Sequence, residues 1–425
     1  WAGRHLEARS VAATLPMLQH LAGPLDRDAL RRALAAVVER HELLRTGFQD
    51  GPDGPVQVIH PAVPVALPEV DLGSLDADAR TAEVRRFAIL DGRLHFDYER
   101  PPLFRATLFR CAPEEHLLLF TIHHVASDGW SNGLLIREVS AFYLSFRTGQ
   151  PTLLPPLPAQ FQDFARWQRR LSREEAQESQ VTFWREHLQG AVPIDLGAGR
   201  PRPPRRTFAA AVEEVRVPEE LERRLDAFSA HQGVTLFMTL LAAFQALLHL
   251  ETGRDDLVVP CSFANRNQLE TEALIGNLAT ALPLRARLHG VRTFRELLQR
   301  VRELTLLAHE HPDIFWEPVV EGMSFLEPGD RGGLTTFKIL FQLIKSPQAP
   351  PVASDLQITQ VPVDTGRIRL DLSLFLSQGE RLAGRFRYNR DVLDAPRVAA
   401  LRDRFLAILA KVVADPDCPL AEVAP

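Results

Sequence analysis

This chain of 425 residues is short of cysteine, of long apolar runs and of surplus positive charge. Its 3 cysteines, Cys111, Cys261 and Cys418, lie far apart with no CxxC pair. That spacing removes both a disulfide framework and a structural zinc site, and it suits a reducing, cytoplasmic compartment. No apolar stretch approaches the roughly 18 to 20 residues needed to cross a bilayer, so no membrane partner is expected. The start, WAGRHLEARS, has no apolar h-region, which excludes a signal peptide and suggests a segment trimmed from something longer. With a net charge of -5 there is no basic excess, and nucleic acid is excluded as a partner. No repeat recurs at a fixed period.

What remains is the composition of a globular protein, 45% hydrophobic and 24% charged, too long for one ordinary core. Two domains or lobes are expected, with an interface where sites often form. In the first half, Asp26 is a plausible cap for an amphipathic helix that places Leu30, Leu34, Val37 and Val38 on one stripe. VQVIHP, LFRATLFRC and HLLLFTIHH read as strands, and SNGLLIREVSAFYLSF as a helix. Residues 157–188 read as helical, before a break at GAGRPRPPRR that is dense in Pro, Gly and Arg. The boundary is placed there, giving lobes of 1–190 and 191–425. The second half repeats the mixture: helices from Glu219, in TLFMTLLAAFQALLHL, after the cap Thr293 and in APRVAALRDRFLAILAKVVA, and strands in between. The fold class is α+β in both halves.

One stretch carries chemistry. TIHHVASDGWSNG, residues 121–133, puts two adjacent histidines at the end of a nearly all-apolar strand. Alternation sends His123 and His124 to opposite faces, so the two cannot share a role. Asp128 and Gly129 make the turn into the next helix, the glycine permitting positive φ and the carboxylate orienting the loop. Neighbouring strand residues do not converge on a point, which argues against a metal here. In HEHPD, residues 309–313, His309 and His311 face different directions and read as surface packing. An isolated histidine near a strand end is most often merely hydrogen-bonded or exposed, but a tandem pair ahead of xxxDG is less easily dismissed.

These residues bear a resemblance. HHVASDGWS resembles the HHxxxDG signature of nonribosomal peptide synthetase condensation domains, within a superfamily that includes chloramphenicol acetyltransferase. The likeness continues in the family's order through RHELLRTGF (Arg40 to Phe48), FQDFARWQ (Phe161 to Gln168), ANRNQLETEALIGNLATALPLR (Ala264 to Arg285) and GRFRYNRDVLD. The family's opening motif is missing, and IGNLATALP, HEHPDIFWE and GDRGGLTTFKILF depart from its later motifs. Those departures bear on substrate more than on chemistry.

The resemblance implies two chloramphenicol-acetyltransferase-like lobes in a V-shaped pseudo-dimer, with a central tunnel and carrier domains docking at its mouths. It implies that the acceptor amine, held as a phosphopantetheine thioester, attacks a donor acyl or peptidyl thioester. His124 would be the catalytic histidine, handling the amine proton, a role typically worth about 100-fold to 10,000-fold. His123 would be structural, and Gly129 would let a backbone N–H approach the tetrahedral oxyanion. Asp128 would pair with an arginine across the fold, Arg285 by its place in the motif, with Arg40 as rival. The domain would bind no cofactor of its own, because the phosphopantetheine arms belong to carrier (thiolation) domains of neighbouring modules. The rivals are an epimerisation or ester-forming domain of the same fold, and a non-catalytic recruitment domain. A free-standing CoA-dependent enzyme would carry a late DFGWG-like element, which is absent from the sequence.

Overall fold

In the computed structural model the described residues are 14–52, 54–171, 175–197, 207–312, 319, 337–344, 355–364, 366–379 and 381–423. Contacts divide the chain into two compact units, one of residues 1–170, 266–279 and 347–366, the other of 171–265, 280–346 and 367–425. A single cut at 190/191 does not reproduce this division. The helices after residue 170 join the second unit, and two later segments return to the first. The reason is in the packing: Leu274, Ile275 and Leu278 are buried with Phe161 and Phe164, so the hydrophobic surface of 266–279 is satisfied inside the first unit. Most of the Pro- and Arg-rich break, residues 198–206, lies outside the described residues.

The first unit is built on a five-stranded sheet. Its members are β1 (Thr14–Ala22), β4 (Glu69–Asp71), β5 (Phe104–Ala112), β6 (Glu115–His123) and β11 (Gln357–Val361), in the order β11-β1-β6-β5-β4. The hairpin of β2 (Thr46–Gly51) and β3 (Gly54–Ile59) stands apart. The helices are α1 (Arg27–Arg40), α2 (Ala77–Asp91), α3 (Gly129–Thr148) and α4 (Phe161–Leu171). Strand β6 is central, pairing antiparallel with β1 on one side and β5 on the other. Its apolar run is buried on both faces: Leu118, Phe120 and Ile122 join the core with α1 and α3, while Leu119 packs with Phe109, Val84 and Ala88. A strand covered twice loses its polar alternation, which is why HLLLFTI reads as continuous.

The second unit contains α5 (Glu175–Leu188), β7 (Ala210–Arg216), α6 (Glu219–His231), α7 (Leu236–Thr252), β8 (Asp256–Phe263), β9 (Thr280–Arg287), α8 (Phe294–Glu310), β10 (Ile339–Ile344), β12 (Leu372–Gln378), β13 (Leu382–Asn389) and α9 (Ala395–Ala414). The sheet order is β7-β13-β12-β10-β8-β9, with β10 parallel to both of its neighbours. Helix α7 is buried almost all round, as its unbroken apolar sequence requires. No single helix among the described residues is long and apolar enough to cross a membrane.

Candidate functional site

The site grows out of the end of β6. His123 is its last residue, and His124 opens a single 3-10 turn, His124–Ala126. The His123 ring is buried and held at both nitrogens. Its Nδ1 accepts the Val125 N–H at 3.1 Å, and its Nε2 lies 2.9 Å from the Tyr98 hydroxyl. The rings of Phe96 and Tyr98 meet it edge-on, with centroids 5.9 and 4.9 Å away. Burial, helped by the adjacent His124, pushes the His123 pKa down to about 4, so the ring is neutral at pH 7.

His124 stands differently. Its ring is half-buried, and its buried Nδ1 has no hydrogen-bond partner among the described residues. Of the two histidines, this one has hydrogen-bonding capacity to offer a substrate.

Asp128 is almost wholly buried and caps α3. Oδ1 accepts from the Ser131 N–H and hydroxyl, both at 2.8 Å, and from Arg266 Nη2 at 3.2 Å. Oδ2 accepts from Arg266 Nη1 at 2.9 Å and from the N–H groups of Leu278 and Ala279, both at 3.0 Å. A carboxylate so fully occupied is a fastener, with no lone pair directed at a reaction. It pins the returning segment 266–279 onto the turn that carries His124. Ser131 adds to the clasp, its hydroxyl 2.9 Å from the Gly276 carbonyl and accepting the Gly276 N–H at 3.0 Å. The Trp130 indole donates to the Glu272 carbonyl at 2.9 Å.

Three expectations need correction. Arg285 is not the partner of Asp128. It pairs bidentately with Asp256 at 2.8 and 2.6 Å and donates to the carbonyls of His187 and Gln189, both at 2.8 Å. Arg40 does not pair with Asp128 either. Its Nε donates to Glu138 at 3.1 Å, and the same carboxylate oxygen lies 2.7 Å from His41 Nε2. The aspartate's cation is Arg266, three residues beyond the end of β8, and the sequence reading missed it. The signal was a polar Asn-Arg step at the exit of an apolar strand, where Asn265 takes a φ of 51° and turns the chain. The third correction concerns Gly129, which is absent from the positive-φ glycines. The extended Asp128, at φ -138° and ψ -175°, makes the turn, and Gly129 is already the first helical residue.

Tyr98, Ser131 and Glu138 also went unpredicted: Tyr98 and Glu138 lie outside the histidine motif, and Ser131, although inside it, is a small hydroxyl whose clasp with Asp128 and Gly276 depends on a segment 145 residues away. Of the HEHPD cluster, His309 packs edge-on to Phe263 and His311 stacks on Phe183 at 3.6 Å, while Asp313 lies outside the described residues. Among the described residues no three His, Cys, Asp or Glu side chains are grouped to hold a metal ion.

The comparisons with known proteins bear on this geometry. A profile described as Condensation domain matches residues 1–424. Chondramide synthase cmdD of Chondromyces crocatus is 36% identical over 427 residues, covering 100% of this chain, which spans only 11% of that synthase. The X-domain from teicoplanin biosynthesis, solved alone and in complex with OxyB, shares 28% identity when alone, with a TM-score of 0.82 over 99% of this chain and 96% of that one. The first condensation domain of the calcium-dependent antibiotic synthetase, in complex with a substrate analogue, has a TM-score of 0.82 at 22% identity, covering 100% of this chain and 96% of that one.

Proposed function

Because the chain belongs to the condensation-domain family of nonribosomal peptide synthetases, whose reaction joins two carrier-bound substrates through an amide bond, we propose that His124 is the residue that handles the proton of that reaction. The acceptor nitrogen attacks the donor thioester carbonyl, and a C–N bond forms. The intermediate collapses with loss of the C–S bond. The proton released by nitrogen passes to the His124 imidazole and on to the departing donor thiolate. No acyl-enzyme is involved. The observation that supports this assignment is the contrast between the two rings: His123 is engaged at both nitrogens, whereas His124 carries a nitrogen with no partner among the described residues.

Gly129 is assigned to the oxyanion. As the first residue of α3 its N–H has no acceptor within the helix, and the missing Cβ leaves room for close approach. Thioesters are already activated, so much of the acceleration is attributed to holding two tethered substrates together. Both substrates are proposed to arrive on phosphopantetheine arms of donor and acceptor carrier domains, which makes the activity that of an acyltransferase. The likeness to the X-domain favours a second reading, a recruitment domain of the same fold.

The test loads separate carrier domains with candidate donor and acceptor groups, adds the wild type or His124→Ala, and follows carrier-bound product by mass spectrometry. A new amide with the wild type and a loss of about 100-fold or more with the variant is expected. Equal rates remove His124 from the chemistry. No product from any pair, with a partner protein retained instead, favours recruitment, and an epimerised donor without a new bond favours epimerisation.

A further inference from the structure

Tyr98 lies between α2 and β5, far in sequence from the histidine motif, yet its hydroxyl reaches His123. Its backbone is itself anchored, the Tyr98 carbonyl accepting the Phe48 N–H at 2.7 Å. The proton inventory of the His123 ring then decides what the hydroxyl does. A neutral imidazole carries one N–H. Nδ1 faces the Val125 N–H at 3.1 Å and must be the bare acceptor, which leaves the hydrogen on Nε2. That N–H donates to the tyrosine oxygen 2.9 Å away. The Val125 N–H lies within the turn His124–Ala126, so the bond it makes fixes the backbone from which His124 projects.

We propose that Tyr98 is a positioning residue for the condensation reaction: by accepting from Nε2 it holds His123 in the tautomer whose Nδ1 anchors Val125, and it thereby sets the turn that presents His124. The proposal rests on His124 being the residue that meets substrate. Without the tyrosine oxygen, the Nε2–H form of a buried ring loses its only side-chain acceptor among the described residues. The Nδ1–H form then competes, and in that form two N–H groups, those of Nδ1 and Val125, confront each other.

The test is Tyr98→Phe, which keeps the ring and removes one oxygen, read in two ways. Nitrogen-15 NMR of the imidazoles should show His123 as the Nε2–H form in the wild type and a mixture including the Nδ1–H form in the variant. In the carrier assay kcat should fall about fivefold, the loss of one hydrogen bond's worth of positioning, with KM within about twofold. The second reading places the same change in a His123→Asn background. The asparagine Oδ1 can still accept the Val125 N–H but has no Nε2, so there the tyrosine hydroxyl should matter little. A Tyr98→Phe protein that keeps the pure Nε2–H signature overturns the proposal. So does a fivefold penalty that persists in the asparagine background, because that is a packing effect with no route through His123. The tautomer measurement needs no turnover, so it stands even if His124→Ala were to retain full activity and the underlying reading fell.

Discussion

Replacing Arg266 with methionine should unfold the first unit more easily without touching the histidines. The Asp128 and Arg266 side chains are both almost fully buried, at 1% and 2% exposure. Removing one member of such a pair leaves an uncompensated buried charge, a loss of about 3–5 kcal/mol. Here the carboxylate keeps four other donors, from Ser131 N, Ser131 Oγ, Leu278 N and Ala279 N, which places the loss near the lower end, about 3 kcal/mol. For a unit of this size that corresponds to a fall in Tm of about 6–12 °C. Trp130 lies over Arg266, with the guanidinium carbon 5.7 Å from the ring centroid, so tryptophan fluorescence during a melt is a suitable signal. The decisive measurement is a pair of double-mutant cycles. Asp128→Asn combined with Arg266→Met should show a coupling of about 2 kcal/mol or more, because the second change removes a charge the first has already stranded. Asp128→Asn combined with Arg285→Met should be additive within about 0.5 kcal/mol, since Arg285 directs its charge at Asp256 and shares no partner with Asp128. The reverse pattern would refute the pairing, and a stable Arg266→Met protein would refute the magnitude.

Three further outcomes are expected from the packing and charge of the same molecule. In Gly276→Ala the added Cβ would sit 2.2 Å from Phe161 Cδ2 and 3.1 Å from Leu43 Cδ2, and the overpacking should cost about 1–3 kcal/mol in urea denaturation, partly restored by Phe161→Leu. Glu138→Gln removes the charge shared by Arg40 and His41. Arg40 keeps its bond to the Pro155 carbonyl, so a loss of about 2 kcal/mol by calorimetry is expected, and no loss would show that the cluster is idle. Acid should weaken the fold through His123 and His187, both lowered to about 4 from 6.5 chiefly by burial. Between those values the unfolded chain binds protons that the folded chain refuses, so stability is full above about 6.5 and falls as pH drops toward 4, by up to about 3 kcal/mol per ring. Urea midpoints at pH 7 and 4.5 should differ less in His123→Asn than in the wild type, and equal differences would remove His123 from the titration.

How much of this was readable in the sequence depends on distance along the chain. Asp26 and Thr293 were recognisable as helix caps because the accepting oxygen and the donating N–H are three residues apart, and both bonds are present. β6 was recognisable because two-sided burial writes itself into seven consecutive residues. β1 was not: TLPMLQHLA carries a proline and no alternation, and its strand state comes from β6 and β11 on either side of it. β11 is a short polar strand that arrives more than 300 residues after the strand it pairs with. No local period encodes that pairing.

The arginines make the same point about the site. Arg40, Arg266 and Arg285 each meet a carboxylate, those of Glu138, Asp128 and Asp256 in turn. That buried arginines would be paired was foreseeable, since a charge taken from water without a partner is prohibitively costly. Which acid each would take was not. For Arg266 the partner is 138 residues away, and Arg266 itself opens the segment 266–279, which follows a strand of the second unit but packs in the first. For Arg285 the answer was nearer. In the β8–β9 ladder Arg285 stands opposite Val258, and Asp256 is the diagonal neighbour two residues along, within reach of a long side chain. The antiparallel register of the facing apolar runs thus ties Arg285 to Asp256 independently of any motif, and it leaves Asp128 to find its cation beyond the end of the preceding strand, where Arg266 stands.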